Sequence, residues 1–455
     1  MPELRRDLGP WAASAVVVGT VIGSGIFLVP KTMILETGSP WLVFAVWVFG
    51  GLLTLAGALT YAEMAAMMPE AGGEYVYLKE AYGPFWGFLY GWTQMWVAKS
   101  SSIATLATGF FLYLANFNPA LEGVLSRIPL PVGPGGGPLE IQTGQLLAIA
   151  VVLGLAAINY FGVRVGGQVQ VATTIAKVGL IAMVIVIGLF GGSAEPANFS
   201  TSIPARGGLA GFIAALVAAL WAYDGWNNLN MVAGEVKDPQ RNLPRALIYG
   251  TLLIMAIYLL TNLAYFSVLP AAEVGANDRV AAEMMRRILG SPGAAAVSIA
   301  AMISIFAALN GSILSGSRVP YAVAHDGLFF KAFGRVNESH HTPGFSILAL
   351  SAWSCVLVLS GRYEQLLTMV IFPSWILYGM AAAAVIVLRR KKPDVERPYR
   401  TLGYPVVPAL FVLVAMLLLA VTLVNSPRES GLGLIVIAAG YPFYRHWKRQ
   451  ADSRR

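Results

Sequence analysis

Cysteine, histidine and charged side chains are scarce in this chain. Its 455 residues include one cysteine and four histidines, and only 12% of them are charged. The single thiol, Cys355, excludes a disulfide within the chain and suggests no thiolate metal site. There is no HExxH or GxSxG motif, and the histidines fall outside the apolar stretches. The sequence therefore indicates no enzyme, no catalytic residue, no metal site and no cofactor.

Long apolar stretches dominate what is present. Hydrophobic residues make up 57% of the chain, and its charged fraction is about half the roughly 25% of a soluble domain. A helix of roughly 20 apolar residues can cross a bilayer. The sequence predicts an all-α integral membrane protein with about twelve transmembrane helices. The predicted spans lie near 11–35, 41–66, 85–115, 141–162, 169–191, 208–234, 245–269, 293–323, 344–360, 364–388, 404–425 and 430–445.

The positions of the lysines and arginines predict the orientation. Most of the 31 basic residues fall on the inner side if the N-terminus is cytoplasmic. Basic residues favour the cytoplasmic loops of membrane proteins. We therefore expect a multi-pass protein of the cell membrane with both termini cytoplasmic. The net charge of +8 is then a signal of topology, and we expect no nucleic-acid partner.

The first apolar stretch is interrupted at its centre by Gly23-Ser24-Gly25. Each glycine costs a helix roughly 1 kcal/mol relative to alanine. A break at membrane depth also exposes backbone groups, which only protein or a cavity can satisfy. The carbonyl end of the first half can hold a cation, and the amide end of the second half can hold an anion. An amino acid zwitterion carries both charges. The alternative, a small-residue packing face, stays open on these three residues alone.

The sixth apolar stretch contains a similar polar cluster, from Trp221 to Asn230. Asp224 next to Gly225 favours a turn, so we predict a second broken helix. The alternative is an interfacial loop, which would change the span count. Interrupted helices at corresponding positions of two halves point to a transporter site. A single transporter domain, 1–455, would then contain inverted repeats at 8–191 and 208–388, with two extra helices at 404–445.

Several further features need an interpretation. Lys177 lies inside the fifth span, where a functional role is favoured over a lysine that snorkels to the surface. Lys99 lies inside the third span and must face a cavity, face a partner or snorkel. The segment 69–77, with Glu74 and three glycine or alanine neighbours, is interpreted as an interfacial linker at the inner surface. The loop at about 116–140 is rich in proline and glycine, and we expect it to be mobile.

Four motifs together resemble the amino acid–polyamine–organocation superfamily, and more closely its L-type amino acid transporter family. They are Gly23-Ser24-Gly25-Ile26-Phe27, Pro69-Glu70-Ala71-Gly72-Gly73-Glu74-Tyr75, Trp221-Ala222-Tyr223-Asp224-Gly225-Trp226-Asn227 and Asn242-Leu243-Pro244-Arg245-Ala246. The motifs run from about residue 8 to 335, and the span count matches to the C-terminus. The resemblance implies a five-plus-five inverted repeat with helices 1 and 6 broken. It also implies sodium-independent exchange of small or large neutral, and conceivably cationic, L-amino acids by alternating access.

The resemblance also implies site residues. Amide groups around Ser24 would bind the substrate carboxylate, and Trp221 would cap the site. Lys177 would lie where sodium-coupled relatives of the fold hold a cation, as a coupling or structural residue. The carbonyls expected to bind the α-amino group are those of Val21, Trp221, Ala222 and Asp224. The full predicted substrate-binding set is Thr20, Val21, Ile22, Gly23, Ser24, Gly25, Ile26, Trp221, Ala222, Asp224, Gly225 and Asn227.

Two departures from the animal members matter. The outer loop after the third span has no cysteine, so we expect no disulfide-linked ancillary subunit and a protein that acts as a monomer. Asp224 stands where several relatives have glycine or serine. Its side chain could favour cationic substrates or cap the sixth span, and the sequence leaves both open.

The alternative function is a proton-coupled symporter of amino acids or polyamines. Glu63, Asp224, Glu235 or Lys177 would then carry the proton. A channel is disfavoured because no ring of repeated charge is present. We also predict that Gly25→Val fills the carboxylate site while the protein still folds.

Overall fold

The computed structural model describes residues 4–115, 117–129, 138–360, 363–425 and 427–452, and helices dominate it. The helices are α1 (Pro10–Val21), α2 (Gly25–Thr37), α3 (Pro40–Met67), α4 (Glu74–Tyr82), α5 (Pro84–Thr93), α6 (Lys99–Leu114), α7 (Thr143–Tyr160), α8 (Val163–Phe190), α9 (Gly208–Ala222), α10 (Asn228–Met231), α11 (Pro239–Val268), α12 (Ala271–Ala276), α13 (Val280–Leu289), α14 (Ser291–Gly316), α15 (Arg318–His325), α16 (Gly344–Ser360), α17 (Tyr363–Lys391), α18 (Val406–Asn425) and α19 (Pro427–Asp452). A π-helical turn, Gln94–Ala98, joins α5 to α6, and short 3-10 turns occupy Pro119–Glu122, Pro196–Ser200 and Ala233–Glu235.

The described part of the chain has nine helical segments that are long and apolar enough to cross a membrane, with α1 and α2 counted as one. Two shorter apolar helices, Gly208–Ala222 and Gly344–Leu359, accompany them. The prediction of an all-α, multi-pass membrane protein is therefore confirmed. The count of twelve spans and the division into repeats stay predictions.

Proline and glycine set many of the helix ends. Proline begins α3, α5 and α11, at a position where its missing N–H would have no helical partner. Gly38 ends α2 in the left-handed region, with φ of 75°, and its N–H donates to the carbonyl of Ile34. Because the next helix begins two residues later, at Pro40, α2 and α3 are joined by a tight turn.

The helices of the first and the sixth apolar stretches are both interrupted at the positions that the sequence predicts. Three residues, 22–24, separate α1 from α2, and five residues, 223–227, separate α9 from α10. The two breaks meet, since α2 packs along α9 and α1 contacts α10. Around them, α1 also packs against α8, α11 and α14, so the interrupted helices occupy the centre of the bundle.

The structure differs from the expectation for one connecting segment. The segment 69–77 is not a surface linker, because Glu74, Tyr75 and Tyr77 are all buried and α4 packs against α5 and α17. In the loop at 116–140, β1 (Val124–Ile128) and β2 (Leu139–Gln142) form an antiparallel pair with Arg127 opposite Glu140. Residues 130–137, between these strands, lie outside the described residues, so the mobility of this loop stays a prediction.

Candidate functional site

A cavity lies where the two helix breaks meet. The space between its atoms is about 380 Å³ including its open mouth. Its lining residues are Thr20, Val21, Gly23, Ser24, Gly25, Ser102, Leu106, Trp221, Ala222, Asp224, Gly225, Asn228 and Ser312.

The carbonyl end of α1 is bound by a lysine from another helix. The side chain of Lys177, on α8, is fully buried, and its Nζ donates to the carbonyl of Gly19 at 2.6 Å and to that of Ile22. The carbonyl of Ser304 lies 3.5 Å from the same nitrogen, and the Ser304 hydroxyl donates to Ile22 at 2.9 Å. Unpaired helix-end carbonyls carry partial negative charge. The side chain of Lys177 therefore occupies the carbonyl end of α1 in this structure.

The amide end of α2 faces the cavity from the other side of the break. Because α2 begins at Gly25, the first N–H groups of this helix have no preceding helical carbonyl to which they could donate a hydrogen bond. The break also lies very close to the end of α9: a Cβ on Gly25 would lie 2.7 Å from the backbone of Ala222. At Gly23 a Cβ would meet its nearest neighbours at an ordinary 3.5 Å. The prediction for Gly25→Val changes accordingly, since this side chain would push the two breaks apart as well as fill the site.

A tyrosine bridges the carbonyl ends of both broken helices. The hydroxyl of Tyr258, on α11, donates to the carbonyl of Ala222 at 2.7 Å and lies 3.1 Å from that of Val21. Its ring is fully buried against Trp47, with ring centroids 5.0 Å apart. Since each carbonyl oxygen has two lone pairs, both remain able to accept a further hydrogen bond from a ligand.

The second break is held by side chains from two other helices, α6 and α17. The Asp224 carboxylate lines the cavity and accepts hydrogen bonds from the Tyr378 hydroxyl, at 3.1 Å, and from the N–H of Gly225. Lys99 does not snorkel: its side chain is 5% exposed, and its Nζ donates to the Asn228 amide oxygen at 2.7 Å. Its ammonium also attracts the Asp224 carboxylate. The segment after α9 is therefore fixed on both sides.

One of the break residues contacts helix α4. The side-chain amide of Asn227 donates to one carboxylate oxygen of Glu74, and the Tyr90 hydroxyl donates to the other at 2.9 Å. All three side chains are fully buried. Asn227 therefore links the second break to α4 and α5 and does not itself line the cavity.

Two of the carboxylates considered as proton carriers are engaged in ion pairs. Glu235 pairs with Arg318 through bonds of 2.7 and 3.2 Å, and both side chains are fully buried. Glu63 accepts two bonds from Arg389, at 2.8 and 2.6 Å, and lies 3.3 Å from Arg397. Nearby arginines favour the ionised form of a carboxylate. Both carboxylates are therefore occupied by arginines in this structure.

The cavity brings together most of the predicted substrate-binding set. Ile22, Ile26 and Asn227 lie outside its lining, and the other nine line it. Sequence reasoning missed Ser102, Leu106, Asn228 and Ser312. Of these, Ser102 and Leu106 are four residues apart on α6, so they share one helix face with the conspicuous Lys99. That spacing was one available signal, and Asn228 lies in the polar cluster that predicts the second break. Within the described residues, no cluster of three or more potential metal ligands occurs.

A multi-helix membrane protein with two facing helix breaks around a small, partly polar cavity is a membrane transporter by class. A model of the amino acid permease family matches residues 8–439, and the chain belongs to this family. The resemblance to L-type amino acid transporters of the amino acid–polyamine–organocation superfamily is confirmed with it.

Similar proteins cover nearly the whole chain. The serine/threonine exchanger SteT of Bacillus subtilis (strain 168) is 35% identical, over 99% of this chain and 98% of SteT. The b(0,+)-type amino acid transporter 1 of Mus musculus is 31% identical, over 97% of this chain and 88% of its own. The human cystine/glutamate transporter is 29% identical, over 97% and 85% respectively.

Proposed function

We propose that this protein is a sodium-independent exchanger of neutral L-amino acids that works by alternating access. The observation that carries the proposal is the meeting of two helix breaks around one small cavity, with a fixed ammonium on the carbonyl end of the first. Opposite partial charges at the two ends of a break suit the carboxylate and the amino group of an amino acid. The names of the similar proteins, which include a serine/threonine exchanger, support exchange.

The substrate pose follows from the two breaks. Its carboxylate would accept hydrogen bonds from the first amides of α2, around Gly25. Its amino group would donate to the carbonyls that end α1 and α9, of which Val21 and Ala222 already share the Tyr258 hydroxyl. Further acceptors would be the carbonyls of Trp221 and Asp224. The side chain would then face Ser102, Leu106 and Ser312.

Lys177 is the reason to propose sodium independence. In the described structure its Nζ already donates hydrogen bonds to the carbonyls of Gly19 and Ile22. A sodium ion at the same oxygens would be repelled by a unit charge only a few ångströms away, which is strongly unfavourable in a low-dielectric interior. Exchange needs no driving ion, because each inward substrate is balanced by an outward one.

The arrangement of the protein in the membrane is part of the proposal. Spans 1–5 and 6–10 would form the inverted repeats, with α18 and α19 as additional helices. The N- and C-termini would be cytoplasmic in the cell membrane, and the protein would act as a monomer with no disulfide-linked partner, since its one cysteine, Cys355, lies in α16.

Uptake of labelled amino acids into liposomes tests this function. Vesicles with the purified protein are loaded with unlabelled serine or left empty, and external sodium is replaced by potassium. We expect uptake only into loaded vesicles and no effect of sodium. Uptake into empty vesicles driven by a pH gradient would favour the proton-coupled symporter instead. Competition with unlabelled serine, leucine and lysine gives the substrate range and decides whether Asp224 admits cationic side chains.

A further inference from the structure

Glu74 is a buried carboxyl with no ion pair. Within the described residues no lysine or arginine nitrogen lies within 4.0 Å of it, and its exposed fraction is 0%. Its two oxygens accept hydrogen bonds from neutral donors, which are the Asn227 amide, the Tyr90 hydroxyl and its own backbone N–H. Burial without a paired charge favours the protonated form of a carboxyl. Glu74 therefore differs from Glu63 and Glu235, which both pair with arginines.

Glu74 lies in α4, outside the membrane-spanning helices. Burial raises the pKa of Glu74 from its usual value to about 7, although hydrogen bonds from its own backbone, Asn227 and Tyr90, and the charge of Lys99, act in the opposite direction. Glu74 interacts electrostatically with Lys99 from α6 and with four tyrosines, and Lys99 in turn interacts with Asp224. The tyrosines are Tyr61 from α3, Tyr77 from α4, Tyr90 from α5 and Tyr378 from α17.

The hydrogen-bond partner of Glu74 can exist in two orientations. In the described structure the Asn227 amide nitrogen faces Glu74, and its amide oxygen is buried with no hydrogen-bond partner among the described residues. A proton taken from water by the facing oxygen of Glu74 would turn this acceptor into a donor. The Asn227 side chain would then rotate by half a turn, so that its oxygen accepts from the new O–H. The Tyr90 hydroxyl would keep donating to the other oxygen.

We propose that Glu74 is a positioning residue of the substrate site, whose protonation reorients Asn227 and thereby loosens the second helix break. This inference rests on the proposed function. Asn227 lies between Gly225 and Asn228, which both line the cavity. Gly225 has a φ of 100°, so the segment has a conformation that few other residues could adopt. When Glu74 is ionised, a charge-assisted hydrogen bond fixes this segment, and when it is protonated only a neutral one remains.

The inference predicts a pH-dependent KM. A charge-assisted hydrogen bond stabilises more than a neutral one, and the difference in free energy corresponds to about a fivefold change in affinity. We expect the KM for exchange to rise about fivefold as the pH on both sides falls from about 8 to about 6, with the midpoint near the raised pKa of Glu74 and little change in kcat. Equal pH on both sides removes any driving gradient.

Three variants test the role of Glu74. Glu74→Gln imitates the protonated form, because its amide can donate to Asn227 and accept from Tyr90, and its KM should equal the acid value of the unmodified protein at every pH. Glu80→Gln is the matched control, since Glu80 lies on the same helix but pairs at 2.5 Å with Lys392. It should leave the profile unchanged. Glu74→Asp keeps a titrating carboxyl, so its KM should still depend on pH, with a shifted midpoint. This variant tests the inference even if Glu74→Gln fails to fold.

Infrared difference spectroscopy measures the protonation of Glu74 without transport. We expect a carboxylic acid C=O band that titrates near neutral pH and is absent from Glu74→Gln, or shifted in Glu74→Asp. A KM of the unmodified protein that does not change with pH would overturn the inference. So would a Glu74→Gln variant whose pH profile and infrared band are the same as those of the unmodified protein. If no amino acid is exchanged at all, the proposed function fails, and the infrared titration still decides the protonation of Glu74.

Discussion

Replacing Lys177 by methionine tests the bond between α8 and the first helix break. Methionine is unbranched like lysine, so the packing is preserved and only the ammonium is lost. The variant loses the two short charge-assisted hydrogen bonds to Gly19 and Ile22, worth roughly 1.5–3 kcal/mol each. It also no longer buries a charge, which in proteins costs several kcal/mol per ion. The free energy of unfolding should therefore change little.

Transport by the Lys177→Met variant should fall much further than its stability. If about 3 kcal/mol of the lost interaction is present in only one of the two conformations, inward-facing or outward-facing, the equilibrium constant between them shifts by roughly 150-fold. We expect kcat/KM for exchange to fall by about two orders of magnitude. The assay is exchange in loaded vesicles, with thermal unfolding of the purified protein measured alongside.

Lys31→Met is the matched control for this variant. Lys31 lies in the middle of α2, and its ammonium pairs with the exposed Asp278 at 2.6 Å. Exposed pairs contribute at most about 1 kcal/mol, so this control should transport normally. Unaltered exchange by Lys177→Met would refute the reasoning and leave Lys177 as a lysine with no part in the break.

Three further predictions concern the helix breaks and the inner side. Gly23→Ala should fold normally and weaken substrate affinity, whereas Gly25→Ala should lower both affinity and the thermal midpoint, and equal stability of the two would contradict the close approach of the breaks. Tyr258→Phe removes one hydroxyl from two carbonyls and should weaken substrate binding by about 1–3 kcal/mol with the fold intact, as measured by isothermal titration. Arg318→Met leaves the buried carboxylate of Glu235 unpaired and should cost roughly 3–5 kcal/mol of stability, which the double variant with Glu235→Gln should largely restore in thermal unfolding.

The helix breaks could be predicted because their signal is local. Glycine and polar residues in the middle of an apolar stretch contradict an uninterrupted membrane helix, and Gly23 and Gly225 lie in such clusters. Lys177 was recognisable for the same reason, as a charge far from either end of an apolar stretch. No partner elsewhere in the chain had to be known for these inferences.

The contacts between distant residues could not be predicted in this way. Lys99 and Asn228 are 129 positions apart, and nothing in either segment indicates that the ammonium finds that amide oxygen. Tyr258 looks like one more aromatic residue of an apolar helix, yet its hydroxyl bridges both breaks. The segment around Glu74 has the composition of a surface linker, and only the packing of α4 against α5 and α17 shows that it is buried.

The stoichiometry of exchange tests the central claim most directly. Vesicles containing the purified protein are loaded with serine carrying one isotope and placed in serine carrying another, without sodium and with equal pH on both sides. Influx and efflux are then counted in the same sample. Obligatory exchange at a single cavity predicts one molecule in for each molecule out, and no efflux when external substrate is removed. Net efflux into substrate-free buffer would contradict the account.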